Sequence, residues 1–169
     1  MARQVRVFAV TVLVLAALAV LAGLVWSWVA PRAPYQVTGQ GRVLADPSTQ
    51  ALIAADGWFA VITGGLGLAC GALGWFLGRR QPLAVLLGLG AGGVLAAFVT
   101  FWVGSASTLG VVTVEAAARP GATIVPGSLV LTAQGVLVSW ALCAVALFGI
   151  LEGMHGYRES PLRKPYGID

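Results

Sequence analysis

Three short patterns contain residue types that can bind nucleotides or metals. Residues 88 to 93 read GLGAGG and match G-x-G-x-x-G, the glycine fingerprint that holds a dinucleotide pyrophosphate at the N-terminus of a helix. Glu152 and His155, in EGMH, have the Glu-x-x-His spacing of di-iron helical bundles. Cys70 and Cys143 are the two cysteines of the chain. Whether any of these patterns can do chemistry depends on the elements that position it.

The composition predicts that these elements are membrane helices. The chain has 169 residues, of which 59% are hydrophobic and 9% charged, and its mean hydropathy is +0.91. A membrane helix needs about 20 mostly apolar residues. Four segments of that length contain no Asp, Glu, Lys, Arg or His, and they are residues 7–29, 58–78, 83–104 and 128–151. We therefore predict an all-α integral membrane protein, a single domain over residues 1–169 built as a four-transmembrane-helix bundle.

The basic residues predict the orientation of this bundle. Seven lie before the first span, between spans two and three, or after span four: Arg3, Arg6, Arg79, Arg80, Arg158, Arg163 and Lys164. Three lie on the other side: Arg32, Arg42 and Arg119. The positive-inside rule puts both termini and the tail 152–169 in the cytoplasm, and it leaves loops 30–57 and 105–127 outside. The first span exceeds the 7 to 15 residues of a signal-peptide core, so we expect it to be retained.

In a four-helix membrane bundle, none of the three patterns is expected to form a nucleotide or metal site. GLGAGG begins inside the third span, where the backbone must satisfy its own hydrogen bonds and cannot cradle phosphate. EGMH has no second copy, and neither cysteine belongs to a CxxC motif. An enzyme would need a convergent set of acid, base or nucleophile. Asp46, Asp56 and Glu115 on one side, and Glu152 with His155 on the other, do not form such a set. We therefore predict no catalytic, cofactor, nucleotide or metal site unless another chain completes one.

The glycines have a better explanation in helix packing. In span two, Gly64, Gly67, Gly71, Gly74 and Gly78 are spaced 3, 4, 3 and 4, which puts them on one helix face. Span three has Gly88, Gly92 and Gly93. Glycine stripes let membrane helices approach closely, so spans two and three are predicted to form a tight antiparallel hairpin. These stripes either close the four-helix bundle or face a partner protein.

Polar residues of span four offer a second kind of site. Gln134, Ser139 and Trp140 could form a polar seam that contacts a ligand, or Gln134 could make an interhelical hydrogen bond. The spans contain no ionisable residue, which argues against proton-coupled transport by this chain alone.

The outer loops supply possible contacts of their own. Their charged residues are either contacts for another molecule or ordinary solvated charges, and they are Arg42, Asp46, Asp56, Glu115 and Arg119. Residues 111–116, VVTVEA, alternate like a strand, and residues 36–43 could pair with them in a small sheet. Asp56 and Gly57 are expected to bend the chain where it enters the second span.

The chain also resembles a family. A single-span start, an outer loop, the segment ADGWFAVITGGLGLACGALGWFLGRRQPLAVLLGLGAGG and a looped fourth span are similar to the small four-helix membrane proteins common in actinobacteria. That resemblance implies no activity and brings no site residues. The nine Arg against one Lys, with abundant Ala, Val and Gly, are typical of coding from a GC-rich genome. Together with the positive-inside arrangement, this composition predicts a bacterial plasma-membrane location.

Two functional hypotheses follow. The first is a non-catalytic accessory subunit or assembly factor of a larger envelope or respiratory complex, bound through a glycine-rich helix face. The second is a small oligomeric transporter or lipid-handling protein that uses the polar seam of span four. The expected partners are membrane lipid and other membrane subunits or further copies of the chain, without nucleic acid.

Overall fold

Four long helices make up most of the described chain. The structure is a computed structural model that describes residues 2–38, 41–45, 50–118 and 124–159. Its helices are α1 (Ala2–Val29), α2 (Gln50–Gly78), α3 (Pro82–Ala118) and α4 (Ser139–Glu159). Four helical stretches within these residues are long and apolar enough to cross a membrane. The four predicted spans are confirmed at this level, whereas the identity of the membrane and the orientation stay predictions.

The helices pack as two parallel pairs. α1 lies along α3, with Gly88 beside Thr11 near one end and Gly104 beside Trp26 near the other. α2 lies along α4, and each helix of one pair also contacts a helix of the other. Gln81 N donates to Gly78 O (2.9 Å) in the turn between α2 and α3. We call this end of the bundle the turn end, and the opposite end the sheet end.

The prediction that α2 and α3 form a tightly packed hairpin is wrong. The two helices are joined by a short turn, but their contact is much less extensive than the contacts of α1 with α3 and of α2 with α4. The reason lies in the partners of the glycines. Gly67 and Gly71 of α2 lie against the backbone of α4, and Gly88 and Gly92 of α3 lie against α1.

The core combines many alanines with a few large side chains. Ala19, Ala96 and Ala144 are fully buried between helices, which lets the helix axes approach. The largest fully buried side chains fill the remaining space, and they are Trp26, Trp140, Phe59, Leu15 and Leu89. The outward surface is mostly large and apolar, as a lipid-facing surface requires.

A small antiparallel sheet lies outside the helices. Its strands are β1 (Pro34–Thr38), β2 (Gly41–Leu44) and β3 (Ile124–Pro126), in the order β2-β1-β3. The sequence correctly predicted extended structure within residues 36–43. That segment contributes to two strands, β1 and β2, and β1 also pairs with β3. Residues 111–116 are not a strand, because α3 continues through them to Ala118.

Two helix boundaries also differ from the prediction. α2 begins at Gln50, so Asp56 and Gly57 lie inside the helix and do not bend the chain. The predicted fourth span starts at residue 128, whereas the structure has a 3-10 helix (Gln134–Val138) that leads into α4. Residues 128–133 precede that 3-10 helix without regular structure.

Candidate functional site

Asp56 anchors the segment that precedes α4. Its side chain is only 7% exposed, and both carboxylate oxygens accept hydrogen bonds from backbone amides. Thr132 N donates to Oδ1 (3.1 Å) and Ala133 N donates to Oδ2 (2.8 Å). Hydrogen bonds to an ionised carboxylate are the strong kind. Asp56, predicted as an outer contact, is thus occupied within its own chain.

Trp26 ties α1 to α2 at the same sheet end. The side chain is fully buried, and Nε1 donates to Ala55 O (3.0 Å). Its ring meets Phe59 edge-on, with centroids 5.1 Å apart and an interplanar angle of 81°. Trp28, Trp58 and Trp102, which also lie toward this end of their helices, are exposed instead. An indole with a satisfied N–H is well suited to such a buried position.

The predicted polar seam is not continuous. Gln134 is exposed at the first residue of the 3-10 helix, outside the interior of the bundle. Ser139 faces α2, where its hydroxyl lies 2.6 Å from Thr63 Oγ1. Trp140 is fully buried, and its backbone carbonyl oxygen lies against Gly67 of α2. Two of the three residues therefore join α4 to α2, and the third faces away from them.

A cluster at the turn end was not predicted from the sequence. Trp75 Nε1 donates to Glu152 Oε2 (3.1 Å), and the Arg79 guanidinium carbon lies 4.3 Å from the Trp75 ring centroid. His155 meets the same ring edge-on at 6.0 Å between centroids. Glu152 and His155 thus pack against the same tryptophan of α2. Within the described ranges, no group of three or more His, Cys, Asp or Glu residues could hold a metal ion.

The glycines of α2 are packed inside the chain. A Cβ added to Gly67 or Gly71 would lie 2.5 Å from a backbone carbonyl oxygen of α4, which is too close for any side chain. A Cβ added to Gly64 would lie 3.5 Å from Cys143 Sγ of α4. Gly74 and Gly78 instead face α3 at Val85.

The glycines of α3 are packed in the same way. An added Cβ would lie 2.9 Å from Thr11 at Gly88, 2.8 Å from Leu15 at Gly92 and 2.7 Å from Ala141 at Gly93. All eight glycines that the sequence singled out therefore face helices of their own chain. Their stripes close the bundle and are not available to a partner.

A different small-residue face is open. Ala146, Gly149, Gly153 and Gly156 of α4 are exposed and spaced 3, 4 and 3, so they form one stripe, which we call the open α4 stripe. Around its three glycines, no atom lies within 4 Å of an added Cβ among the described residues. The sequence analysis singled out Gln134, Ser139 and Trp140 on span four and not this stripe, although its spacing is present in the sequence.

A depression adjoins the open α4 stripe. It encloses about 330 Å³ between the start of α3 and the second half of α4. Its walls are Pro82, Leu83, Leu86, Phe148, Gly149, Glu152 and Gly153. Glu152 is the one acidic residue among these walls, and it also accepts the hydrogen bond from Trp75. The stripe and the depression together form a surface with a flat small-residue strip, an apolar recess and a negative charge.

The structure describes two of the remaining four predicted loop contacts. Arg42 belongs to β2 and Glu115 to the last turns of α3. Asp46 and Arg119 lie outside the described residues.

Comparisons with known proteins add no family. No protein-family model matches the chain, and no curated protein and no solved structure matches it.

Proposed function

We propose that the protein is a non-catalytic accessory subunit of a larger membrane complex, and that a transmembrane helix of a partner subunit packs on the open α4 stripe. We place the complex in a bacterial plasma membrane, with the turn end and both termini cytoplasmic according to the positive-inside rule. The observation that carries the proposal is the stripe itself. It is exposed, whereas the other glycine stripes of the chain are covered.

The energetics of glycine support a partner at this position. A glycine inside a helix is less favourable than alanine by roughly 0.5–1 kcal/mol. Three of them on one face are unfavourable by about 1.5–3 kcal/mol if they meet only lipid. Against a second helix, the same residues permit close backbone contact. The α2 glycines show this use within the chain, where Gly71 meets Ala144 of α4.

The charge beside the stripe favours a different protein over a second copy. In a symmetric parallel dimer formed through the open α4 stripe, the two Glu152 carboxylates would approach each other, and like charges at close range repel. A partner helix with a basic residue or a hydrogen-bond donor near this depth would complement Glu152. A large apolar side chain of that helix would fill the depression next to Phe148.

The test combines purification in mild detergent with site-specific cross-linking. A photo-reactive residue at position 153 is expected to cross-link to one partner subunit that also co-purifies in fixed ratio. The matched control is position 65, because Gly65 is likewise a helical glycine with nothing within 4 Å, but it lies on α2. We expect Gly153→Leu to abolish co-purification and Gly65→Leu to leave it intact. Cross-links between copies of this chain at position 153, or co-purification that survives Gly153→Leu, would refute the proposal.

A further inference from the structure

The helices α1 and α2 enclose a groove that opens toward the outside of the bundle. At the sheet end they are held together by Trp26, which contacts Ala55 and Phe59. Toward the turn end each packs mainly on its own partner, α3 or α4, and the contact between α1 and α2 is slight. The space left between them is about 540 Å³, within the range of 300–1,000 Å³ that is typical of ligand sites. We call it the lateral groove.

The walls of the lateral groove suit a hydrocarbon chain. They are formed almost wholly by aliphatic side chains: Val7, Val10, Val14, Leu15 and Leu18 of α1, Leu73 and Leu77 of α2, and Val85 and Leu89 of α3. Thr11 is the only wall hydroxyl, and it donates to Val7 O (2.9 Å) in its own helix. An apolar ligand would therefore leave no wall hydroxyl without a partner.

The mouth of the groove is positively charged. Arg3 and Arg6 line it at the turn end, and both side chains are exposed. They are three residues apart on α1, so they lie on the same face of the helix. No acidic residue is found among the described residues that line the groove. Two guanidinium groups in this arrangement present several N–H donors to one anion, and arginine matches phosphate in a bidentate manner.

The dimensions match one leaflet of a bilayer. The 28 residues of α1 give a length of about 42 Å at 1.5 Å per residue, whereas the hydrocarbon core is about 30 Å thick. A helix of this length that is centred in the bilayer extends about 6 Å beyond the core at each end, which brings Arg3 and Arg6 to the boundary with the headgroups. From Arg6 to Leu18, at the other end of the groove, α1 rises by about 18 Å, close to the roughly 15 Å of one hydrocarbon leaflet.

The lateral groove thus combines the length of an acyl chain with a positively charged mouth. These two features together favour a lipid as its occupant.

We propose that the lateral groove binds an anionic phospholipid of the leaflet at the turn end. One acyl chain lies between α1 and α2, and Arg3 and Arg6 bind the phosphate of the headgroup. This site is separate from the open α4 stripe, which lies on another helix, so either proposal can fail without the other.

Native mass spectrometry on the full-length protein tests this. The protein is delipidated in mild detergent and titrated with phosphatidylglycerol or with phosphatidylcholine of the same acyl chains. Because each basic residue near a membrane surface contributes about 1 kcal/mol toward anionic lipid, we expect phosphatidylglycerol to bind at least about tenfold more tightly. The double variant Arg3→Gln/Arg6→Gln should lose this preference. Arg158→Gln should keep it, because Arg158 is exposed at the same end but lies outside the groove.

A second pair of variants tests the acyl-chain site. Val14 and Leu13 are neighbours on α1 and are 53% and 68% exposed, but only Val14 lines the groove. Val14→Trp should fill the groove and abolish binding of both lipids, whereas Leu13→Trp should bind them like the wild type. Equal affinity of the wild type for both lipids, an unchanged preference in Arg3→Gln/Arg6→Gln, or unchanged binding in Val14→Trp would each overturn the proposal.

Discussion

Replacement of Asp56 by alanine should loosen the start of the fourth span. Asp56 holds two backbone amides, those of Thr132 and Ala133, although it lies 76 residues before the first of them. A hydrogen bond to a charged group contributes about 1.5–3 kcal/mol. Thr132 and Ala133 are exposed, so water can reach their amides once the carboxylate is gone, and the lower value applies to each bond. We therefore expect Asp56→Ala to lower the free energy of unfolding by about 3 kcal/mol.

The assay is reversible unfolding in mixed micelles at increasing SDS fraction, followed by circular dichroism. Asp56→Asn keeps one acceptor oxygen and should lose roughly half as much stability. Thr132→Ala is the matched control, since the bond uses the backbone amide of Thr132 and not its side chain. This control should stay within about 0.5 kcal/mol of the wild type.

Hydrogen exchange gives a local readout of the same effect. In the wild type, the amides of Thr132 and Ala133 should exchange slowly, and in Asp56→Ala they should exchange faster than those of the α4 interior. A wild-type unfolding free energy in Asp56→Ala, together with unchanged exchange at both amides, would show that the carboxylate does not hold this segment.

Two further predictions concern the packing of α2. Gly71→Ala should destabilise the protein by about 1–3 kcal/mol, because the added Cβ meets the α4 backbone. Gly65→Ala, where nothing lies within 4 Å, should be neutral or stabilise by up to about 1 kcal/mol; equal effects of the two variants in mixed-micelle unfolding would contradict this reasoning. Trp75→Phe removes the donor to Glu152 and should cost roughly 1 kcal/mol in the same assay. The control Trp102→Phe changes an exposed indole and should have no effect, so matching losses would argue against the Trp75 bond.

The spans could be predicted from the sequence because hydropathy and length alone define them. The continuation of α3 through residues 111–116 could not. Val111, Val112 and Val114 favour a strand in isolation, but the segment contains no proline or glycine, and helix formation from the preceding turns simply continues. The helix ends at Ala118, shortly before Pro120, which is the nearest strong breaker in the sequence.

The long-range contacts of the polar and aromatic residues could not be predicted from the sequence either. Asp56 is followed by Gly57, a pair that favours a turn, and only the distant amides of Thr132 and Ala133 explain its burial inside a helix. Trp26 lies close in sequence to the exposed Trp28, and periodicity does not say which of them faces Phe59. These contacts join segments whose relative positions are set by the whole bundle.

Helix α4 has two small-residue faces, and the one that packs inside the chain is the one that meets a small-residue face of a neighbouring helix. The face that packs inside the chain meets a second small-residue stripe, because Gly67 and Gly71 of α2 lie against the α4 backbone around Ala144. The open α4 stripe, which includes Gly149 and Gly153, has no such counterpart among the described residues. A glycine stripe gains contact only where another backbone approaches it. The counterpart of the open α4 stripe is therefore expected on a helix of another chain, which should itself carry small residues at spacings of three and four.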